Sequence, residues 1–426
     1  MHQSRREFLC TGSASAVALA FGGIGGCASV PAKAPRVVVV GGGLAGATAA
    51  KYVRKWSDGK IAVTLVERAS AFVSCPLSNL VLGGSRQIAD LTVAYDGLDK
   101  WGVRRVTDEA MTIDPVARTL RLSSGTTLPY DRVILAPGVD FIWDAIPALA
   151  SRQAQEKILH AWKAGAQTSA LRRQLEAMPD GGVFVMHIPK APYRCPPGPY
   201  ERACQVAFYF STRKPKSKVI ILDANEDVQS EKELFTAAWS GRYKGYVEYR
   251  PNSGLVDVEV TTLTAKLDFE DVRADVLNVI PPQHAGGIAR ALGMANANGR
   301  FCEVDFLTYE STAQRNVHVL GDAIQSAELM PKSAHMANQH GKVCAAAVVA
   351  LLTGGEVNPA PVIANACYSY IDDKEVAHIA SVHRYEPAKK SMVVVTGSGG
   401  RSPRANTEEL PYADAWARNI WADTLA

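Results

Sequence analysis

The feature that most constrains this chain is a run of four valines that ends in glycine. Arg36-Val37-Val38-Val39-Val40 has the β-branched, uniformly apolar character of a strand buried in a parallel sheet. It passes directly into Gly41-Gly42-Gly43-Leu44-Ala45-Gly46 and then an alanine-rich stretch through Lys55 that reads as helix. A second apolar run, residues 61–66, ends at Glu67, 21 residues past Gly46. G-x-G-x-x-G alone is a weak signal, but strand, turn, helix, strand and acid at these offsets predict a dinucleotide-binding unit. Gly41 permits the tight turn, Gly43 lets the backbone approach a pyrophosphate, and Gly46 lets the helix pack close to the strand. The helix start offers free N–H groups to phosphates. Glu67 would accept from a ribose, with Ala45 and Arg68 beside it.

A length of 426 residues suggests two or three domains, and 47% hydrophobic with 21% charged residues is ordinary for a globular chain. The net charge is +4, of which residues 1–34 carry about half, so nothing suggests a nucleic-acid partner. Eight cysteines are scattered without a C-x-x-C or C-x-x-C-H, which argues against a zinc ribbon, a thioredoxin-type dithiol or covalent haem in this chain. The nine histidines show no compact ligand pattern, so no metal site is expected.

Residues 1–34 read as an address. Ser4-Arg5-Arg6-Glu7-Phe8-Leu9 precedes a mildly apolar run and looks like a twin-arginine export signal, which implies a periplasmic protein. Ile24-Gly25-Gly26-Cys27 resembles a lipobox. Cys27 is therefore either a lipid-bearing first residue, which would tether the protein to a membrane, or part of a discarded signal.

Two later segments select the dinucleotide. Residues 130–138 (YDRVILAPG), with Ala136 and Gly138, resemble the return strand of flavoproteins with two dinucleotide domains; residues 316–323 (NVHVLGDA) resemble the segment whose aspartate, here Asp322, meets the flavin ribityl chain. The implied cofactor is FAD. Residues 182–186 and 218–223 look like the first two strands of a second nucleotide unit. Between them stand five prolines in residues 189–201 (PKAPYRCPPGPYE) instead of a glycine fingerprint, and a pyrophosphate site needs free amides. The unit reads as a nicotinamide domain that kept its fold and lost its ligand. The expected architecture is α/β, with two Rossmann-like domains of glutathione-reductase type and a C-terminal α+β interface domain. The segments are 35–150 and 276–356 for FAD, 151–275 for the degenerate unit, and 357–426 for the last domain.

At the proline loop the chain resembles the flavoprotein subunit of flavocytochrome c sulfide dehydrogenase. The likeness spans residues 36–426 and is most specific at 193–203 (YRCPPGPYERA), 95–98, 160–165, 280–283, 330–334 and 412–416. It implies oxidation of hydrosulfide at FAD beside a redox disulfide, Cys195–Cys367, with electrons passing to a separate cytochrome c subunit that carries the haem. It further places sulfide on Cys195 and Cys367 nearer the flavin, and joins Cys75 to the flavin through sulfur, although Pro76-Leu77 departs from the family pattern there. Glu201 either handles a proton near the disulfide or is an ordinary helix-start acid. Lys332 either stabilises reduced flavin or is a solvated lysine. Cys204, Cys302 and Cys344 are assigned to packing, and the C-terminal aromatics to the core or the cytochrome interface. Two other functions stay open: a sulfide:quinone reductase, and a non-enzymatic flavin-bearing partner of a sulfur-oxidising complex.

Overall fold

The computed structural model describes residues 34–426; the segment read as an export signal and Cys27 lie outside the described residues. Arg36–Val40 is a strand whose valines are all buried. It lies between Ala62–Glu67 and Arg132–Leu135, parallel to both. Val317–Val319 and Arg104–Thr107 complete a five-stranded parallel sheet. Residues distant in sequence, 36–135 and 317–319, thus share one sheet, as expected for an FAD unit split by an insertion.

The insertion has its own parallel sheet, ordered Val247–Arg250, Lys218–Asp223, Val183–Ile188 and Val276–Val279. The expected boundary at 275/276 therefore moves: residues 276–279 hydrogen-bond to the 184–187 strand and belong to the second unit. The physical reason is that the VLNV strand is buried throughout and has no sequence mark of which sheet it joins.

Residues 362–401 form an antiparallel sheet, with Val376–Glu386 pairing with Val362–Tyr370, Ser391–Val394 and Gly400–Arg401. The helix Leu410–Leu425 then packs back onto the FAD unit. Lys51 Nζ donates to the carbonyls of Ala422 and Asp423, Asn338 donates to Asp423, and Trp421 Nε1 donates to Ser74 Oγ (3.0 Å). Its aromatics serve the interior: Trp416 and Trp421 both pack against the main core. No helix of the described residues is long and apolar enough to cross a membrane.

Candidate active site

The three fingerprint glycines hold the three positions their spacing predicts. Gly41 has φ +98°, and a Cβ there would lie 2.3 Å from the Ala136 carbonyl oxygen. A Cβ on Gly46 would lie 2.0 Å from the Gly41 oxygen, so only glycine lets the helix Leu44–Trp56 sit this close to the turn. At Gly43 a Cβ would meet nothing within 4 Å, because Gly43 faces an open cavity. Glu67 closes the end of its strand, accepting from the N–H groups of Gly42 (2.7 Å) and Ala69 (2.8 Å).

That cavity has a volume of about 510 Å³ and runs from the glycine turn, past Ala45, Arg68, Ala136 and Gly138, to Cys75, Cys195 and Cys367. Its polar lining fits a flavin dinucleotide. The indole N–H groups of Trp162 and Trp416, two residues of its lining, are buried without a partner among the described residues. Asp322 also lines it and spends no carboxylate oxygen on a hydrogen bond with the described residues. Burial raises the Asp322 carboxyl, while Arg194 and Lys332 oppose the shift.

Cys195 sits in the proline loop at φ +57°, a conformation enforced from both sides. Its N–H donates to the Lys332 carbonyl (2.8 Å), and its carbonyl accepts from Gly198 N–H (2.9 Å) at the start of the helix Gly198–Arg213. Burial pushes its thiol well up, and the neighbouring charges of Cys367 and Glu201 add to this. Cys367 arrives from the strand Val362–Tyr370. Its thiol is raised to about 11 by burial, an effect opposed by hydrogen bonding to Asn365 and Ser333. Each cysteine carries a free thiol in this structure.

Lys332 does not reach the cavity. Its Nζ donates to the backbone carbonyls of Asp322 (3.1 Å) and Ile324 and lies 3.8 Å from the Phe301 ring centroid. Burial lowers it to about 8. It ties down the Asp322 turn, and its carbonyl holds Cys195, so it acts through the backbone. It also precedes the helix Ala334–Thr353, which is capped by Ser333 accepting from Met336 N–H.

Glu201 lies in the first turn of the helix Gly198–Arg213 and lines the cavity. Its carboxylate accepts from Asn79 Nδ2 (2.7 Å) and Tyr370 N–H (3.0 Å), yet burial raises it to about 7. The acid stands in the first turn, as the helix-start reading requires, and carries the raised carboxyl that proton handling would use. Behind it stands Arg202, 1% exposed, donating to Asn79 Oδ1, Asn278 Oδ1 and the carbonyls of His160 and Ala161. Its guanidinium stacks over Trp162 at 4.9 Å. Sequence reading missed Arg202 and Asn79, and also Arg194. The Arg194 guanidinium donates to the Trp162 carbonyl and is electrostatically coupled to Cys75, Asp322 and Cys195. The only available signal for the two arginines was their place inside the YRCPPGPYERA segment; Asn79 had none.

The second nucleotide unit is filled by its own side chains. Asp223, the acid ending its second strand, is buried and accepts from Tyr200 OH (2.8 Å), Tyr249 OH (3.1 Å) and both the N–H and Nδ2 of Asn225. The carboxylate that would bind a ribose is already saturated. Cys204, Cys302 and Cys344 are fully buried in cores, in line with a packing role.

Comparison with known proteins agrees with this construction. Residues 168–281 match the family described as sulfide dehydrogenase [flavocytochrome c] flavoprotein chain, central. Residues 359–425 match flavocytochrome c sulphide dehydrogenase, flavin-binding, and 35–177 match pyridine nucleotide-disulphide oxidoreductase. A sulfide dehydrogenase [flavocytochrome c] flavoprotein chain of Chlorobaculum thiosulfatiphilum is 65% identical over 46 residues, 11% of this chain and 94% of that sequence. The mitochondrial sulfide:quinone oxidoreductase of Mus musculus is 22% identical over 311 residues, 67% of this chain and 65% of that protein's length. The sulfide:quinone oxidoreductase structure from Aquifex aeolicus superposes with a TM-score of 0.73 at 18% identity, covering 92% of each chain, which establishes the two-domain fold. The proline loop that carries Cys195 and the C-terminal unit that carries Cys367 both fall within the matched family segments, so the chain belongs to the flavocytochrome c sulfide dehydrogenase flavoprotein family.

Proposed function

We propose that this chain is an FAD-dependent sulfide dehydrogenase that oxidises hydrosulfide at a Cys195–Cys367 disulfide and passes the electrons to a cytochrome c subunit. The observation that carries the reading is that Cys195, Cys367, Cys75 and Glu201, from three separate parts of the chain, line one cavity with the glycine fingerprint. Flavin bound there would supply a two-electron acceptor able to return electrons one at a time.

In the disulfide form, hydrosulfide attacks the sulfur of Cys195; the Cys195–Cys367 bond breaks, a persulfide forms on Cys195 and Cys367 leaves as thiolate. This direction is supported by the amide donor at Cys367, Asn365 Nδ2 lying 3.5 Å from its sulfur, which steadies the departing thiolate. Asn365 and Ser333 stabilise that thiolate. Glu201, held at about 7, takes up the proton of the attacking hydrosulfide. Asn79 and Tyr370 keep its two oxygens oriented. Trp162, Arg202 and the proline loop form one wall of the cavity. Cys75, beside the Arg194 guanidinium, is the anchor for a covalent flavin. Export by the twin-arginine segment would place the reaction in the periplasm, with the haem on the partner.

The test is anaerobic titration of the holoprotein with sulfide, followed by acceptor. Bleaching of the flavin by sulfide, with reoxidation by cytochrome c and not by a soluble quinone, is the expected outcome. Reoxidation by quinone alone would replace the acceptor with the one named for the mouse relative. Absence of bleaching would remove both enzyme readings and leave a flavin-bearing partner protein.

A further inference from the structure

One buried acid near the cysteine pair has no part in the chemistry above. Glu231 is 8% exposed and sits at φ +51°, ψ +41°, a left-handed conformation that a non-glycine residue seldom adopts. It occupies the N-cap position of the helix Lys232–Ser240 but makes no capping bond, so helix capping does not account for it. Its side chain has a single hydrogen-bond partner among the described residues: Ser369 Oγ, at 2.6 Å from Oε2.

Ser369 connects this acid to the site. It follows Cys367 by two residues on the strand Val362–Tyr370, so both side chains project from the same face, and both line the cavity. The next residue, Tyr370, donates its N–H to Glu201. One short strand segment thus touches the redox thiol, the first acid and the second acid in succession.

We propose that Ser369 and Glu231 form a proton exit from the cysteine pair to the protein surface. The proposal rests on the sulfide dehydrogenase reading. Oxidation of one hydrosulfide to zero-valent sulfur releases two electrons and one proton, and a haem-type one-electron acceptor removes only the electrons. The proton must cross the protein separately. Ser369 Oγ accepts it from the cysteine side while its own hydroxyl proton passes to Glu231 Oε2, so one O–H bond forms and one breaks at Ser369, and the O–H bond formed at Glu231 breaks again when the proton passes to solvent water.

The charges around Glu231 suit a relay. Burial raises its carboxyl to about 7; Glu201 and Glu409 hold the proton on, and Arg401 draws it off. Glu201 belongs to the helix Gly198–Arg213 and Cys367 to the strand with Ser369, both on the cavity side. Glu409 precedes the C-terminal helix and bonds Ser402 and His378. Arg401 lies at the surface, paired with the exposed Glu233 (2.7 Å). Arg401 favours the ionised carboxylate of Glu231 and so promotes release of the proton, which solvent water takes up.

The experiment uses the holoprotein with Glu231→Gln, Ser369→Ala and the surface control Glu233→Gln. Infrared difference spectra across pH 5–9 should show two titrating carboxylic-acid C=O bands; Glu231→Gln removes one, and Ser369→Ala shifts it without removing it. Steady-state turnover with cytochrome c should fall about tenfold in both site variants, with the neutral-pH inflection altered and the solvent isotope effect raised, while Glu233→Gln behaves as wild type. Sulfide bleaching in a single turnover should stay near wild-type rate. If bleaching is intact and turnover, inflection and isotope effect are all unchanged in Ser369→Ala and Glu231→Gln, the relay is refuted and the dehydrogenase reading stands. If Glu231→Gln does not fold, Ser369→Ala decides by the same readouts. If wild-type flavin does not bleach, the parent reading fails and the relay with it.

Discussion

Replacing Glu201 with glutamine should flatten the pH dependence of stability, and the structure gives both sign and size. Burial raises the folded carboxyl from 4.5 to about 7. Between those values the folded chain keeps a proton that the unfolded chain has released, so this group stabilises the fold at low pH and the advantage is lost as pH rises toward 7. The full difference is about 3 kcal/mol at 1.36 kcal/mol per pH unit. Between pH 5 and pH 8 the share is roughly 2.5 kcal/mol, because the unfolded carboxyl is already partly ionised at pH 5. Glutamine cannot ionise and keeps the size and one acceptor of the original. Glu231 titrates in the same window and remains in both proteins. Losing the Glu201 charge also relaxes Glu231, which changes the difference in the same direction. Urea unfolding of holoprotein and variant at pH 5, 6, 7 and 8 should therefore show wild type losing about 2 to 3 kcal/mol more than Glu201→Gln. Parallel pH curves for the two proteins would mean that Glu201 is ionised at its ordinary value. Its assignment as proton acceptor would then fall.

Three further perturbations separate the parts of the site. Gly43→Ala places a methyl where only the cavity lies, so the fold should survive with reduced flavin content, whereas Gly46→Ala collides with the Gly41 oxygen and should reduce soluble yield itself; flavin-to-protein ratio and thermal melting distinguish them. Arg202→Met strands the acceptors of Asn79 and Asn278 and should cost about 3–5 kcal/mol by denaturant unfolding, with the Glu201 inflection moving to higher pH because its nearest cation is gone. Cys75→Ala should release its flavin on acid precipitation while wild type retains it; release from both would show a noncovalent cofactor.

How much of this was legible in sequence depended on how local each signal was. The glycine turn was readable because its roles follow from sterics over a few residues, and each glycine does occupy the position its spacing demands. The 276–279 strand was assigned to the wrong unit because a buried apolar run does not encode its neighbour. Arg202 was invisible for a different reason. Its partners lie 123, 42 and 76 residues away, so nothing nearby distinguishes it from a surface arginine on a helix. Lys332 shows how little a segment match says about geometry: it is buried, not a solvated lysine, its ammonium donates to two carbonyls and acts on Asp322, and its own carbonyl holds Cys195.

The second nucleotide unit shows why a motif's absence and a site's absence are separate matters. Five prolines in place of a glycine loop predict that a pyrophosphate would find no amides, and on that reasoning glycine substitutions would restore binding. The side chains around Asp223 say otherwise. Tyr200 OH donates to the carboxylate and accepts from Gln229 N–H (3.0 Å), while Tyr249 and Asn225 take the remaining lone pairs. Tyr200 is fully buried and belongs to the same helix turn that presents Glu201 to the cysteine pair. Clearing the ribose position would unseat that turn. Cys195 lies in the proline loop and Glu201 in the helix turn that follows it, so any change that opens the loop to a phosphate also moves two residues of the cavity lining.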